Sequence, residues 1–194
     1  MRFMMSRVKS WSGLVAAACL AACASSPDHF YTLSILPDAE RGPLSTPAVH
    51  VLLNVTIPTL VDRAEMVVST SKNGVLILDH ERWAVSLSDH VSQTLGRDIE
   101  RRRADILIGD RGFDQAGPPP VTMKVDIARM SAQRGGHATV EARWRIVDAS
   151  AGMDEIGSGA FEAPLGSDTA SIAEAYSQVL SALADKLAGS VQRR

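Results

Sequence analysis

Cysteine is almost missing from this chain: there are two in 194 residues, Cys19 and Cys23, both near the N-terminus. The body of the chain can therefore hold no disulfide framework and no cysteine-based zinc site. The two cysteines stand four apart, which is not the C-x-x-C of a redox pair, and neither lies near a strand–helix–strand pattern. Long apolar runs are equally scarce. The one candidate, WSGLVAAACLAAC over 11–23, has about a dozen apolar residues where a spanning helix needs about 20. Neither sign of charge dominates, with 20 Lys+Arg against 22 Asp+Glu. The single basic run, Arg101-Arg102-Arg103, falls at a predicted helix end, where cations favour the carbonyl pole. Nothing here points to a nucleic-acid partner.

Catalytic patterns are lacking as well. Of five histidines, His29, His50, His80, His90 and His137, none pairs at metal-ligand spacing with another His, Cys or carboxylate. There is no G-x-S-x-G and no glycine-rich phosphate loop. Asp79-His80 and Asp89-His90 invite a triad reading. His80, however, follows a predicted strand, and His90 falls on the polar side of a predicted helix, where a solvated residue is expected. The reading is of no enzyme, no metal and no soluble cofactor, hence a binding or structural role.

What is present starts at the N-terminus. Arg2, Arg7 and Lys9 precede the apolar segment, with no acid among them. This is the layout of a secretory signal. Leu20-Ala21-Ala22-Cys23 resembles the bacterial lipobox, in which a peptidase cuts before a cysteine that is first diacylglycerated. Small residues fit the peptidase cleft, and only a thiol gives the thioether. The resemblance implies a diacylglycerol and an N-acyl chain on Cys23, with Cys19 lost with the signal. Two or three acyl chains, at about 0.8 kcal/mol per buried CH₂, hold a protein on a bilayer durably. The alternatives are a plain signal cut at an A-x-A site and an uncleaved cytoplasmic membrane anchor. Ala24 follows Cys23. An Asp there tends to retain Gram-negative lipoproteins at the inner membrane, so Ala24 favours the outer one.

Residues 1–22 thus read as a signal peptide, 23–30 as the acylated cysteine and a short tether, and 31–194 as one globular domain. Loss of the three basic residues with the signal leaves 172 residues with 17 basic against 22 acidic side chains, a net of −5. That length buries a core without staples. Strands are predicted at 30–33, 49–57, 65–71, 75–79, 104–109 and 155–163. Asn73-Gly74 between two apolar runs predicts a hairpin. A longer hairpin follows, with Val121, Met123, Val125 and Ile127 alternating on one arm and Ala138, Val140, Ala142, Trp144 and Ile146 on the other. Gly135-Gly136 forms its turn, and a parity slip near Ala128 predicts a bulge. Residues 37–47 and 110–120 read as loops.

Two amphipathic helices are predicted. One carries the stripe Ala84, Leu87, Val91, Leu95 and Ile99, with Asp89, Gln93, Arg97 and Glu100 opposite. Gly96 costs it about 1 kcal/mol relative to Ala. The other carries Ile172, Tyr176, Val179, Leu183 and Leu187, with Ser171 and Glu174 at capping-box spacing and Asp168 and Thr169 as rival caps. The expected fold is α/β of the α+β kind. It is a two-layer sandwich, one mostly antiparallel sheet with both helices on one face.

Certain residues carry more. Tyr31-Thr32-Leu33, then Ile57-Pro58 and Val61-Asp62-Arg63, then Arg82-Trp83-Ala84 with Leu87, follow a lipobox in that order. ARWRIVD over 142–148 comes later. Together they resemble the PqiC-type lipoproteins, also described as ABC-type transport auxiliary lipoproteins. The resemblance implies a non-enzymatic part of a lipid-transport system, anchored in the outer membrane. It implies as partner an MCE-domain protein whose periplasmic tunnel it docks, and assembly as a homo-oligomeric ring. Tyr31, Pro58, Asp62, Arg63 and Trp83 are the signature positions and candidate interaction residues. Each also has a plain structural reading. Tyr31 seals the first strand and Pro58 ends the next. Asp62 and Arg63 form a turn with a surface ion pair worth about 0–1 kcal/mol, and Trp83 is a core anchor at the helix start. The rival functions are a periplasmic lipid carrier, an envelope assembly factor, and a hydrolase using His80 or His90.

Overall fold

The computed structural model describes residues 26–36, 42–43, 45, 48–109 and 119–192. The predicted signal, Cys23 and most of the two predicted loops lie outside the described residues. The order of elements is β1 (His29–Tyr31), β2 (Val49–Thr56), β3 (Glu65–Ser71), β4 (Gly74–Trp83), α1 (Leu87–Arg102), β5 (Ile106–Ile108), β6 (Val121–Ala132), β7 (His137–Asp148), β8 (Met153–Pro164) and α2 (Ala170–Ser190). The fold is α+β.

The strands make two sheets rather than the single one expected: β1-β4-β3 and β5-β2-β6-β7-β8. The larger is mixed. Strand β2 runs parallel to both β5 and β6, while β6, β7 and β8 form an antiparallel meander. Parallel neighbours require crossovers, and the chain makes one through β3, β4 and α1 before returning as β5. The small sheet is mixed too, with β1 parallel to β4.

Period-two patterning places the core where it was expected. Met123, Val125 and Ile127 of β6 register with Ile146, Trp144 and Ala142 of β7, and all six are buried. The ladder slips between Ile127 and Arg129, the predicted bulge. Gly135 turns the hairpin with φ at 66°, a conformation that costs glycine nothing. The two glycines of β8 have a packing reason. Gly157 stands opposite Trp144, and a Cβ there would lie 2.5 Å from the indole ring. The missing side chains make the bed on which that tryptophan lies.

Both helices cover one face of the large sheet. Helix α1 packs on β2 and β5, α2 on β7 and β8, and the helices pack on each other. Their stripes are buried: Leu87, Val91, Leu95 and Ile99 on α1, and Ile172, Tyr176, Val179, Leu183 and Leu187 on α2. Ala84 is outside α1 and exposed, because β4 continues to Trp83 and the helix starts at Leu87. Glu100 was expected on the polar face. It is buried instead, where its Oε1 accepts the Ile108 N–H at 2.9 Å. Gly96 lets β5 approach, with its virtual Cβ only 3.3 Å from Ile108. At α2 the capping box does not form. Asp168 Oδ1 accepts the Ser171 N–H at 2.9 Å, and Ser171 Oγ donates back to the Asp168 carbonyl. The backbone donation from Ser171 holds the Asp168 carboxyl below its ordinary range.

Candidate functional site

The signature residues, scattered over more than 50 positions, meet in one seam. Parallel pairing of β1 with β4 sets Tyr31 beside Trp83. The Ala84 N–H donates to the Tyr31 carbonyl at 2.9 Å, and the Trp83 N–H to the Ala64 carbonyl at 2.8 Å. Pro58 ends β2, and its carbonyl accepts the N–H groups of Val61 and Asp62, closing a tight turn. Asp62 Oδ1 in turn accepts the Ser88 N–H at 3.3 Å. That N–H belongs to the first turn of α1, whose N-cap residue Ser86 makes no side-chain cap bond. A carboxylate at the positive end of a helix is favourable, so Asp62 caps α1 from 26 residues away.

Arg63 does not pair with Asp62. Its Nε donates to Glu65 Oε2 at 3.0 Å, and Arg82 reaches Glu65 Oε1 at 2.7 Å and Asp28 Oδ2 at 3.4 Å. These cations hold the Glu65 carboxyl below its ordinary range, with the Arg63 hydrogen bond foremost. On the other side of the strand Tyr31 Oη donates to Glu81 Oε2 at 2.5 Å. The carboxylate acceptor pushes the Tyr31 phenol up to about 12 and is itself lowered by the same bond. Trp83 is buried with its ring 6.3 Å from that of Tyr176 on α2. The anchor reading of Trp83 is right, but the residue ends a strand rather than starting a helix.

His80 lies within β4, and its Nδ1 is 3.1 Å from Asp28 Oδ1. His90 is half-buried rather than solvated. The chain after β1 passes over it, and His90 Nε2 accepts the Leu33 N–H at 3.2 Å. Burial lowers its pKa below the ordinary histidine value. The same segment then crosses both helices: the Ser34 N–H donates to Ser177 Oγ at 2.9 Å and the Leu36 N–H to Asp98 Oδ1 at 2.5 Å. Among the described residues no three His, Cys, Asp or Glu side chains converge as a metal site would need.

The arginine run serves the fold in a way that sequence reasoning missed in part. Arg102 donates to the carbonyls of Asp98, Leu36 and Ser181 and pairs with Asp185. Arg103 is buried and forks onto Asp105, both bonds at 2.7 Å. Its Nη1 then reaches the Ala188 and Val191 carbonyls at 2.9 and 2.8 Å. The run thus occupies a helix carbonyl pole as expected. For Arg103 the pole is that of α2, about 85 residues on.

A groove of about 1020 Å³ opens between α1 and the strands β2, β5 and β6. Leu53, Leu107 and Ile108 contribute apolar surface, and Gln93, Arg97 and Lys124 contribute polar groups. No helix among the described residues is long and apolar enough to cross a membrane.

The sequence profile of the ABC-type transport auxiliary lipoprotein component family matches residues 31–188, from the seam tyrosine almost to the end of α2. The chain belongs to this family. Two solved structures share the fold. One, of an uncharacterized protein, aligns at a TM-score of 0.68 with 14% identity over 86% of this chain and 100% of that one. The other, protein XCC0632 from Xanthomonas campestris, aligns at 0.64 with 15% identity over 83% and 93%. No curated protein matches the sequence. Membership makes the chain an auxiliary lipoprotein of a transport system, which is not a class of enzyme.

Proposed function

We propose that the chain is an outer-membrane lipoprotein, held by acyl chains on Cys23, that docks the far end of an MCE-type tunnel in an ABC-driven lipid-transport system. The observation that carries this reading is the family match starting at Tyr31, eight residues after a lipobox cysteine. Ala24 supports the outer membrane as the address. The work is tethering and shape complementarity, with copies of the chain joined in a ring around the tunnel tip. Crosslinking in intact cells, followed by capture of this lipoprotein from membranes, is expected to recover an MCE-domain protein. Recovery of transporter subunits with no MCE-domain protein would overturn the docking role.

The groove beside α1 supports a second reading, a carrier that holds an acyl chain on the apolar surface of Leu53, Leu107 and Ile108. Native mass spectrometry of protein purified without detergent distinguishes the two. Bound phospholipid is the carrier's signature, and a lipid-free chain leaves docking as the reading.

A further inference from the structure

The outer side of the seam carries three large apolar side chains in water: Phe30 is 64% exposed, Leu60 53% and Val85 52%. Single exposed hydrophobics need no explanation. These three sit on segments that backbone bonds stitch together. Phe30 adjoins Tyr31, whose carbonyl holds Ala84, and Val85 is the next residue. Leu60 lies within the turn closed by the Pro58 carbonyl, and Asp62 of that turn holds Ser88, three residues beyond Val85. The three therefore stand on neighbouring segments: Phe30 on β1, the edge strand of the small sheet, Val85 between β4 and α1, and Leu60 in the turn after β2.

Phe30 stands seven positions after Cys23. An extended chain of that length spans at most about 25 Å, so an acylated Cys23 keeps Phe30 within that distance of the bilayer. We infer that Phe30, Leu60 and Val85 form a membrane-contact surface, seated on the phospholipid leaflet that holds the anchor. This rests on the proposed acylation of Cys23. Phenylalanine and leucine are side chains that favour the boundary between headgroups and acyl chains. The surrounding polar groups suit the same position. Arg63, Arg82, Glu65 and Asp28 are knitted into ion pairs and bring little unpaired charge to the lipid. The contact fixes the orientation of the domain on its tether, with the long hairpin and α2 directed by the rigid fold rather than by the linker.

The test uses the full acylated lipoprotein in phosphatidylethanolamine–phosphatidylglycerol vesicles. Leu60→Cys and Val85→Cys each provide a single labelling site for an environment-sensitive fluorophore, since the thioether leaves Cys23 unreactive. Ile156→Cys is the control, because Ile156 is 75% exposed on β8, the edge strand of the other sheet. Doxyl-labelled lipids are expected to quench the probes at 60 and 85 by about half, as for groups seated in an interface, and to leave the probe at 156 unchanged. Intact mass is measured on the same samples. A thioether-modified Cys23 with no quenching at 60 or 85 overturns the inference and leaves the proposed function standing. Equal quenching at all three sites overturns it too. A blue shift at 60 and 85 without lipid quenching assigns the surface to a protein neighbour, again against the inference. A bare thiol at Cys23 removes the inference and the proposed function together.

Discussion

Asp98 is a carboxyl with nowhere to put its charge. It is fully buried on α1; one oxygen accepts the Leu36 N–H, and the other has no partner among the described residues. Burial, the dominant cause, pushes its pKa from 3.8 up to about 6, against the pull of the Leu36 hydrogen bond and of Arg102 and Arg101. A raised carboxyl pKa means that the folded chain binds the proton more tightly than the unfolded one. The contribution to stability is full below about pH 4 and is lost as pH rises through about 6. Two pKa steps amount to about 3 kcal/mol at most. Asp98→Asn keeps the Leu36 bond and carries no charge. It is expected to be more stable than the parent at pH 7.5 by about 1–3 kcal/mol, with the difference shrinking towards zero by pH 4. Urea midpoints of the two proteins at pH 4, 5.5 and 7.5 check this, and a constant difference would deny the titration. Asp62 offers a second residue-scale expectation. As the distant cap of α1, its change to Ala should lower stability by about 1 kcal/mol, read in the same urea titration. Asp62→Asn, which keeps an acceptor oxygen, should recover most of the loss. A loss of partner binding with unchanged stability would instead make it a contact residue.

Strand β8 is an element whose glycines are there for a neighbour. Gly157→Ala would drive a methyl into the Trp144 ring, where the virtual Cβ already lies 2.5–2.6 Å from three of its atoms. Overpacking of this kind costs about 1–3 kcal/mol. Gly159→Ala meets the edge of Phe161 at 3.1 Å and touches Trp144 only at an ordinary 3.6 Å, and should cost less. Thermal unfolding ranks the two, and the Trp144 environment in near-ultraviolet circular dichroism should change more in the first. The same strand shows what a sequence can and cannot disclose. Its existence, the Gly135 turn, the bulge after Ile127 and both helix stripes follow from local periodicity, and periodicity is written in neighbouring residues. The division into two sheets is not. It depends on β2 choosing β5 and β6 as parallel partners across 50 residues and more. The only local hint was the continuous apolar run 49–57, which suits a strand flanked on both sides. The seam was half legible. Its residues could be named from their motifs, but Asp62 was assigned to Arg63 by adjacency. The partner it has, the Ser88 N–H, becomes a neighbour only when the turn after β2 folds against the start of α1.

The molecule as a whole divides its surface by chemistry. The outer face of the large sheet is a lattice of ion pairs, Arg143–Asp126, Arg145–Asp154 and Arg129–Glu141, all exposed. Each is worth little in water. The opposite face is covered by helices, and Arg103 ties the end of α2 to the start of β5 through Asp105 and two carbonyls. Arg103→Met removes the fork onto Asp105 and both carbonyl bonds and is expected to cost about 3 kcal/mol in a urea titration. On the proposed acylation of Cys23, the address of this body is set by the anchor and not by the fold. Ala24→Asp tests that separation. Density-gradient fractionation of membranes should move the lipoprotein from the outer to the inner membrane, while the unfolding curve of the purified domain stays where it was. If the variant remains in the outer membrane, the residue after Cys23 does not set the address. If it moves and still crosslinks to the same MCE-domain protein, the docking surface does not require the outer-membrane position, and the tunnel is reached from its near end.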